Sequence, residues 1–235
     1  MVNITNLHKS FGKNKVLDGI DLSIQNPGIF AVLGPNGSGK TTLIKSVLGM
    51  VIPNKGTIEV LGTDIKKNSA YRHEIDYLPQ IANFPSNLKV KELLKMIKDL
   101  RKNTAEDTQL IELFKLQPFL DKKLGNLSGG TKQKVNLVLT FMFNSPLVIL
   151  DEPTTGLDPI SLLRLKQLIK EAKEKGKTLL ITSHIMSFVE EVSDQIVFLL
   201  EGKIYFKGTI AELKTKTHQP DFEHAIASIL ANNHA

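Results

Sequence analysis

A glycine-rich turn that ends in lysine and threonine, residues 34–42, is the stretch of this sequence with the clearest chemistry. Its spacing fits the P-loop pattern G-x-x-x-x-G-K-[ST], with Gly34, Gly39, Lys40 and Thr41 at the fixed positions. Glycines let the backbone come close to phosphate oxygens, and amides at the start of a helix attract anions. A lysine ammonium can bind the β- and γ-phosphates, and a threonine hydroxyl can bind Mg²⁺. The turn therefore predicts a site for a nucleoside triphosphate.

Two carboxylates follow a continuously apolar run further along the chain. Asp151 and Glu152 come directly after residues 147–150, which have the composition of a central parallel strand. Ligands of open α/β sheets lie beyond the carboxyl ends of such strands. One carboxylate could support Mg²⁺ while the other positions or deprotonates a water. The alternative is a strand that ends in acids because the next segment is exposed, but the P-loop in the same chain favours catalysis.

Gln80 and His184 also stand just beyond predicted strands, at 75–78 and 178–182. Taken alone, a glutamine at such a point is usually a surface residue, and an isolated histidine is usually structural. The residues themselves therefore leave the roles of these two side chains open.

The elements that must position these residues alternate along the chain. Apolar spacing predicts a buried strand at 29–33, before the glycine-rich turn, and a helix after it. Further strands are predicted at 1–7, 20–24, 57–62, 75–78, 147–150 and 178–182, with a hairpin over 195–206. Further helices are predicted at 90–100, 131–143 and 162–172. Two more are predicted from their caps: one from Thr104 to Phe114, and a short one that starts at a capping box of Thr209 and Glu212. The tail from His218 is predicted to be weakly helical at best and frayed at 232–234. This order favours an α/β core with a mainly parallel sheet.

Composition limits the function classes. The chain has 235 residues, a net charge of +6 and no cysteine, which excludes disulfides and cysteine metal sites. This charge could mean that nucleic acid or an anionic membrane is a neighbour. The lysines are scattered through amphipathic helices, however, which favours a solvated basic face, and we expect no nucleic-acid partner. No stretch has the ~18 uninterrupted apolar residues of a membrane helix, and the N-terminus lacks the pattern of a secretory signal. If the protein works at a membrane, we expect another chain to span it.

The motifs stand in the order of the nucleotide-binding subunits of ATP-binding cassette (ABC) transporters, and the chain resembles that family over nearly its whole length. The run Leu127-Ser128-Gly129-Gly130 resembles the family's signature, which narrows a general P-loop NTPase to this family. The other matching motifs are an aromatic at Phe11, the P-loop at 34–42, a Q-loop at 77–80, the Walker B acids Asp151 and Glu152, a D-loop at 155–158 and a switch histidine at His184.

This resemblance implies the fold of an ABC ATPase: a P-loop NTPase core with a mainly parallel sheet, an N-terminal antiparallel β subdomain and a helical insertion. The expected organisation is a single nucleotide-binding domain over 1–235. Within it we expect a RecA-like core and β subdomain at 1–80 and 146–217, a helical subdomain with the signature at 81–145, and a C-terminal tail at 218–235.

The resemblance also implies the ligands and the site. ATP and Mg²⁺ are the expected cofactors, and the protein is expected to be an ATPase. Glu152 would be the general base, while His184 and Lys40 would complete the catalytic set. The implied Mg²⁺ ligands are Thr41, Gln80 and Asp151. The implied ATP-binding residues are Phe11, Val16, Asn36, Gly37, Ser38, Gly39, Lys40, Thr41, Thr42, Gln80, Ser128, Gly129 and Gly130.

Two kinds of partner are implied by the same resemblance. Two copies would pair head to tail when ATP is bound, with each ATP between the P-loop of one copy and the signature of the other. Asp158 would connect the two sites across that homodimer. An integral membrane permease would be driven by the pair, which would lie in the cytoplasm, peripheral to the inner face of the cell membrane.

The sequence departs from the family pattern at two positions. Thr131 stands where the family usually has glutamine, and Phe11 where tyrosine is more frequent.

Two alternative functions are also considered. One is a soluble ABC-type ATPase that acts on nucleic acid or ribosomes, but such members usually carry two cassettes or a long coiled-coil insertion, and neither is in this sequence. The other is a nucleotide-dependent binding module without catalysis, against which Glu152 and His184 argue.

Overall fold

The computed structural model describes residues 1–81, 83–101 and 104–232. The strands are β1 Val2–Phe11, β2 Asn14–Ile24, β3 Gly28–Leu33, β4 Lys55–Val60, β5 Thr63–Asp64, β6 Ile75–Leu78, β7 Leu147–Asp151, β8 Thr178–Thr182, β9 Gln195–Leu200 and β10 Lys203–Gly208. The helices are α1 Lys40–Val47, α2 Val90–Arg101, α3 Asp107–Leu113, α4 Gly129–Phe141, α5 Pro159–Glu174, α6 Met186–Val192, α7 Ile210–Thr217 and α8 Phe222–Asn232.

The chain forms two compact units. The first consists of Met1–Arg72 with Leu180–Ala235, and the second of His73–Leu179. The domain boundaries expected from the sequence stay a prediction. The fraying expected at the end of the tail falls partly on residues 233 and 234, which lie outside the described residues.

An antiparallel sheet begins the first unit, with the strand order β2-β1-β4-β5. Residues of β1 alternate between apolar and polar, so Val2 and Ile4 are buried. Val2 lies opposite Ile24 of β2 and Val60 of β4, which are buried as well. The expected N-terminal antiparallel sheet is confirmed.

The glycine-rich turn leaves the carboxyl end of β3, whose six residues are all buried. In this unit β3 pairs in parallel with β9, and β9 pairs antiparallel with β10. A strand buried on both faces has no polar side to expose, which explains its continuously apolar sequence. The predicted strand, turn and helix around 34–42 are confirmed.

The tail forms a helix, so the prediction of a weakly helical tail was wrong. α8 packs against α6 and α7, and it buries Phe222, Ala225, Ile226 and Ile229. These positions have the i, i+3, i+4, i+7 spacing of an amphipathic helix. The capping box of Thr209 and Glu212 that starts α7 is confirmed.

Truncation of a buried aromatic in α8 tests how firmly the tail is held. We expect Phe222→Ala to lower the free energy of unfolding by about 3–5 kcal/mol, because a fully buried phenylalanine leaves a cavity. Its exposed neighbour Glu223 is the control, and Glu223→Ala should cost about 1 kcal/mol or less. Urea denaturation of both variants gives the comparison. Equal midpoints for the two variants would contradict a packed tail.

In the second unit β6 and β7 pair in parallel, with Leu78 opposite Leu150. All five residues of β7 are buried, as predicted for a central parallel strand. None of the helices in the described ranges combines the length and hydrophobicity that a bilayer crossing requires.

Two helix starts in the second unit differ from prediction. The cap at Thr104 was wrong, because α3 begins at Asp107 without a side-chain cap, and the Glu106 amide instead donates to the Met142 carbonyl at 2.8 Å. α4 begins at Gly129 and ends at Phe141, so its first and last residues both lie two positions earlier than predicted. The earlier start follows from the Ser128 hydroxyl, which caps the helix.

A buried ion pair joins the end of α2 to the start of β6. Arg101 donates hydrogen bonds to the Asp76 carboxylate, to the His73 carbonyl (2.6 Å) and to the Ser145 hydroxyl (2.9 Å). Its guanidinium also lies 4.4 Å from the ring centre of Phe143. Burial raises the pKa of the Asp76 carboxyl, and the charge of Arg101 opposes that rise. This network fixes the helical part of the unit to its sheet.

Candidate functional site

Two glycines shape the P-loop in the first unit. Gly34 has φ +146°, and a Cβ there would overlap the Leu199 carbonyl oxygen. Gly39 has φ +104°, and its Cβ would lie 2.7 Å from Leu17 and 2.9 Å from the Val16 carbonyl oxygen. Only glycine fits both places, because each combines a left-handed backbone with a close approach. Val16, one of the predicted ATP-binding residues, therefore supports the loop from behind.

Polar groups converge on the inside of this loop. The Lys40 ammonium donates to the carbonyl oxygens of Gly34 and Pro35, at 2.7 and 3.0 Å. The Ser38 side chain is buried, and its hydroxyl has no hydrogen-bond partner among the residues that the structure describes. A buried, unpaired hydroxyl costs about 1–3 kcal/mol. The loop therefore fits a ligand that brings hydrogen-bond acceptors, as a phosphate does.

The remaining P-loop residues lie at its outer edge. Asn36 and Gly37 form the exposed tip, and Thr41 presents an exposed side chain in the first turn of α1. That turn contains no acidic residue, so its positive dipole end is not neutralised. Thr42 is half-buried beside it. The start of α1 is an electrostatically suitable place for an anion.

Phe11 and His184 also belong to the first unit. Phe11 ends β1 and is 52% exposed, so its ring is accessible at the surface. The Lys9 ammonium lies 4.8 Å from the centre of this ring. His184 stands in the exposed turn between β8 and α6, next to Ser183, whose hydroxyl accepts a hydrogen bond from the Ile185 amide at 3.1 Å.

Glu152 has a strained backbone in the second unit. It directly follows β7 and has φ +52°, a left-handed conformation that is uncommon outside glycine. Glu152 is only 8% exposed, and Asp151, the last residue of β7, is 3% exposed. Such backbone strain costs about 1–3 kcal/mol and concentrates at functional sites. Burial, followed by the charge of Asp151, raises the pKa of Tyr77 on β6 to about 12.

The parallel register brings Gln80 to the edge of the sheet that carries the two acids. Leu78 lies opposite Leu150, so the carboxyl ends of the parallel strands β6 and β7 lie side by side. Asn136 of α4 donates to the Pro79 carbonyl at 3.4 Å and so steadies this exit. Asp151 thus ends β7, while Gln80 and Glu152 lie just beyond the ends of the neighbouring strands β6 and β7.

The signature turn forms the start of α4. The Ser128 hydroxyl accepts a hydrogen bond from the Thr131 amide at 3.3 Å and lies 2.9 Å from the Thr131 hydroxyl. Ser128 and Gly129 are exposed, and Gly130 is half-buried. Thr131, the departure from the family pattern, therefore takes part in the cap. The helix presents an open N-terminus at which an anion can bind.

Two residues of α4 that the sequence analysis did not single out contact the loop after Glu152. Gln133 donates to the Pro153 carbonyl at 3.0 Å. The Lys134 ammonium lies 2.6 Å from an Asp158 carboxylate oxygen. The spacing of Gly130, Gln133 and Lys134 places them on one helical face, but nothing in the sequence points to their partners Pro153 and Asp158.

The predicted Mg²⁺ ligands are all oxygen donors: the Thr41 hydroxyl, the Gln80 amide oxygen and the Asp151 carboxylate. Among the described residues no three or more His, Cys, Asp or Glu side chains are grouped as in a metal cage. Mg²⁺ is usually held by one or two carboxylates together with substrate phosphates and water, not by an all-protein cage. Taken residue by residue, the chemistry of these donors therefore suits Mg²⁺ bound with a nucleotide.

Comparison with known proteins gives a consistent result. The family model described as ABC transporter matches residues 17–155, and a model of an AAA domain matches 123–190. The bacitracin transport ATP-binding protein BcrA of Bacillus licheniformis is 33% identical over 93% of this chain and 73% of its own length. The Nod factor export ATP-binding protein I of Burkholderia lata is 32% identical over 88% of this chain and 70% of its own length.

Solved structures show the same fold. An ATP-binding subunit of an ABC transporter superposes with a TM-score of 0.92 at 26% identity, covering 98% of this chain and 99% of that chain. A dimeric ATP-binding cassette in a post-hydrolysis state, bound to ADP and Pi, superposes with a TM-score of 0.78 at 22% identity, covering 89% of this chain and 98% of that chain.

Proposed function

This chain belongs to the ABC transporter family, and from that premise we propose which of its residues bind ATP, hydrolyse it and join two copies. It is an ATP-binding, ATP-hydrolysing subunit that powers a membrane permease. The observation that carries the residue-level proposal is the buried, left-handed Glu152 directly after β7. A carboxylate that stands on a strained backbone at a strand end, in a chain with a P-loop, fits a general base better than a structural acid.

ATP binding rests on the first unit. The backbone amides of 36–42 hold the β- and γ-phosphates, and the Lys40 ammonium turns from the loop carbonyls to phosphate oxygens. The Ser38 hydroxyl finds its acceptor there. Phe11 stacks on the adenine, with Val16 behind the loop. The left-handed backbone and close contacts at Gly34 and Gly39 support these roles, because they leave the loop without side chains at the points where it turns.

Hydrolysis requires further residues, which lie at or near the ends of strands. Glu152 accepts a proton from the attacking water, and His184 contacts the γ-phosphate and keeps the water in line. Thr41, Gln80 and Asp151 would hold Mg²⁺, which would neutralise the charge that develops on the phosphate oxygens. Tyr77 stays protonated beside Asp151, because its pKa lies near 12.

A second copy completes the site. The N-terminus of α4, with Ser128, Gly129 and Gly130, presents an exposed set of donors that suits a γ-phosphate. We place that phosphate on the P-loop of the partner copy, so ATP favours a symmetric head-to-tail homodimer. Such a dimer would act from the cytoplasm on the inner face of the membrane.

Mixing two inactive variants tests this arrangement. Ser128→Glu places a charge against the γ-phosphate, and Glu152→Gln removes the base, so each variant alone should hydrolyse ATP slowly. A dimer with one copy of each has one complete site. We expect an equimolar mixture to recover up to about a quarter of the wild-type rate, since random pairing makes half of the dimers mixed and each mixed dimer has one complete site of two.

The control mixes each variant with a chain that carries both substitutions, which cannot form a complete site. A mixture of the two single variants that stays as inactive as this control would contradict a shared site.

A further inference from the structure

One face of α4 holds the loop that follows Glu152. Gly130, Gln133 and Lys134 lie at i, i+3 and i+4 and so share that face. Gln133 is buried, and its amide donates to the Pro153 carbonyl at 3.0 Å. A Cβ on Gly130 would lie 2.7 Å from the Gly156 carbonyl oxygen, so the two backbones approach too closely for any other residue.

Lys134 makes the third contact, at the far end of the loop. Its ammonium lies 2.6 Å from an Asp158 carboxylate oxygen, with the two side chains 22% and 45% exposed. Asp158 also caps α5, since it accepts hydrogen bonds from the Ser161 amide (2.8 Å) and hydroxyl (3.0 Å). The Lys134 hydrogen bond, followed by that of the Ser161 amide, holds the pKa of Asp158 well below its usual range. The ion pair is therefore present at neutral pH.

The loop between these contacts is folded tightly. The Thr155 amide donates to the Glu152 carbonyl at 3.3 Å, and the Leu157 amide donates to the Thr154 carbonyl at 3.3 Å. Glu152 itself is held in a left-handed conformation. These two hydrogen bonds tie Glu152 to Thr155 and Thr154 to Leu157. We therefore expect a shift of the loop at Pro153 or Asp158 to change the direction of the Glu152 side chain.

We propose that Gln133 and Lys134 are positioning residues, which hold loop 153–158 against α4 and thereby keep Glu152 aligned with the signature turn of the same helix. This inference rests on the proposed function. There the signature turn acts on the ATP of the partner copy, while Glu152 acts on the ATP of its own copy. The α4 face then joins the two ATP sites within one chain.

Removal of the charge of Lys134 tests the proposal. We expect Lys134→Gln to lower kcat by about 3–10-fold and to change KM by less than about 2-fold, because misplaced groups slow the chemical step without weakening ATP binding. Lys134→Arg, which restores the cation, should recover most of the lost rate. The matched control is Lys98→Gln, which breaks another ion pair of this unit, to Asp107 at 2.7 Å, and should leave kcat unchanged.

A double-mutant cycle separates positioning from general destabilisation. Asp158→Asn removes the ion pair but keeps a good cap for α5. If the two residues act as a pair, the double variant should be no slower than either single variant. Additive losses in kcat, or equal kcat for Lys134→Gln and Lys98→Gln, would overturn the proposal. The wild-type turnover and the mixing experiment test the proposed function independently of this outcome.

Discussion

Replacement of Glu152 by glutamine should lower ATP turnover by about 10²–10³-fold, because general-base catalysis contributes factors of this size. Glutamine keeps the shape of the side chain and its hydrogen-bonding capacity, but it cannot accept the proton of the attacking water. The P-loop residues are untouched, so we expect ATP affinity to stay within about 3-fold of wild type. Steady-state phosphate release and equilibrium ATP binding measure the two quantities.

The same variant should accumulate as an ATP-bound dimer. In the proposed dimer, hydrolysis ends the contact of the γ-phosphate with the signature turn. A variant that cannot hydrolyse ATP should therefore stay paired for longer. Sedimentation with Mg-ATP, compared with Mg-ADP, gives the mass of the particle. The exposed acid Glu174 in the last turn of α5 provides the control, since Glu174→Gln should change neither turnover nor mass. Turnover like that of wild type in Glu152→Gln would remove Glu152 from the role of base.

Lys40→Ala should remove most ATP binding and nearly all turnover. The Lys40 ammonium is placed inside the loop by the Gly34 and Pro35 carbonyls, so a phosphate there gains a charge-assisted hydrogen bond. Such a bond contributes about 1.5–3 kcal/mol, which corresponds to a loss of about 10–150-fold in affinity. The developing charge of the transition state adds a loss of about 10²–10³-fold in kcat.

The matched control for this prediction is Lys45→Ala. Lys45 lies in the last turn of the same helix and is exposed, so it carries the same charge away from the loop. Isothermal titration with ATP and a turnover assay should show wild-type behaviour for Lys45→Ala. Equal affinities for the two variants would show that Lys40 does not meet the phosphates.

Most elements of the fold could be predicted from the sequence because their hydrophobic patterns were strong. The apolar runs of β3 and of residues 147–150 in β7 reflect burial on both faces, and the alternation in the first residues of β1 reflects burial on one face. The P-loop strand, turn and helix follow from the glycines, since no other residue fits Gly34 or Gly39.

The errors arose where tertiary contacts decide the local structure. Thr104 is a good cap by type, but α3 starts where Glu106 bonds to Met142, a contact that residue preferences do not contain. α8 was missed because its short apolar stripe is framed by polar residues. Its burial against α6 and α7 supplies the stability that an isolated eleven-residue helix lacks.

The contacts of the α4 face could not be predicted for a related reason. Gln133 and Lys134 look like ordinary surface residues beside the signature, and their partners Pro153 and Asp158 come about 20 positions later in the chain. Only the fold brings them together. The roles of the candidate site residues remain predictions, because they concern the nucleotide and a second copy.

The backbone conformation at Glu152 has a consequence for protein engineering. Glycine adopts the left-handed conformation of this position at a lower energetic cost than glutamate does, and relief of such backbone strain stabilises a protein by about 1–3 kcal/mol. Under the role proposed for Glu152, selection for heat resistance alone can therefore favour Glu152→Gly at the expense of ATP turnover. A thermostability campaign on this chain needs a turnover screen at every round.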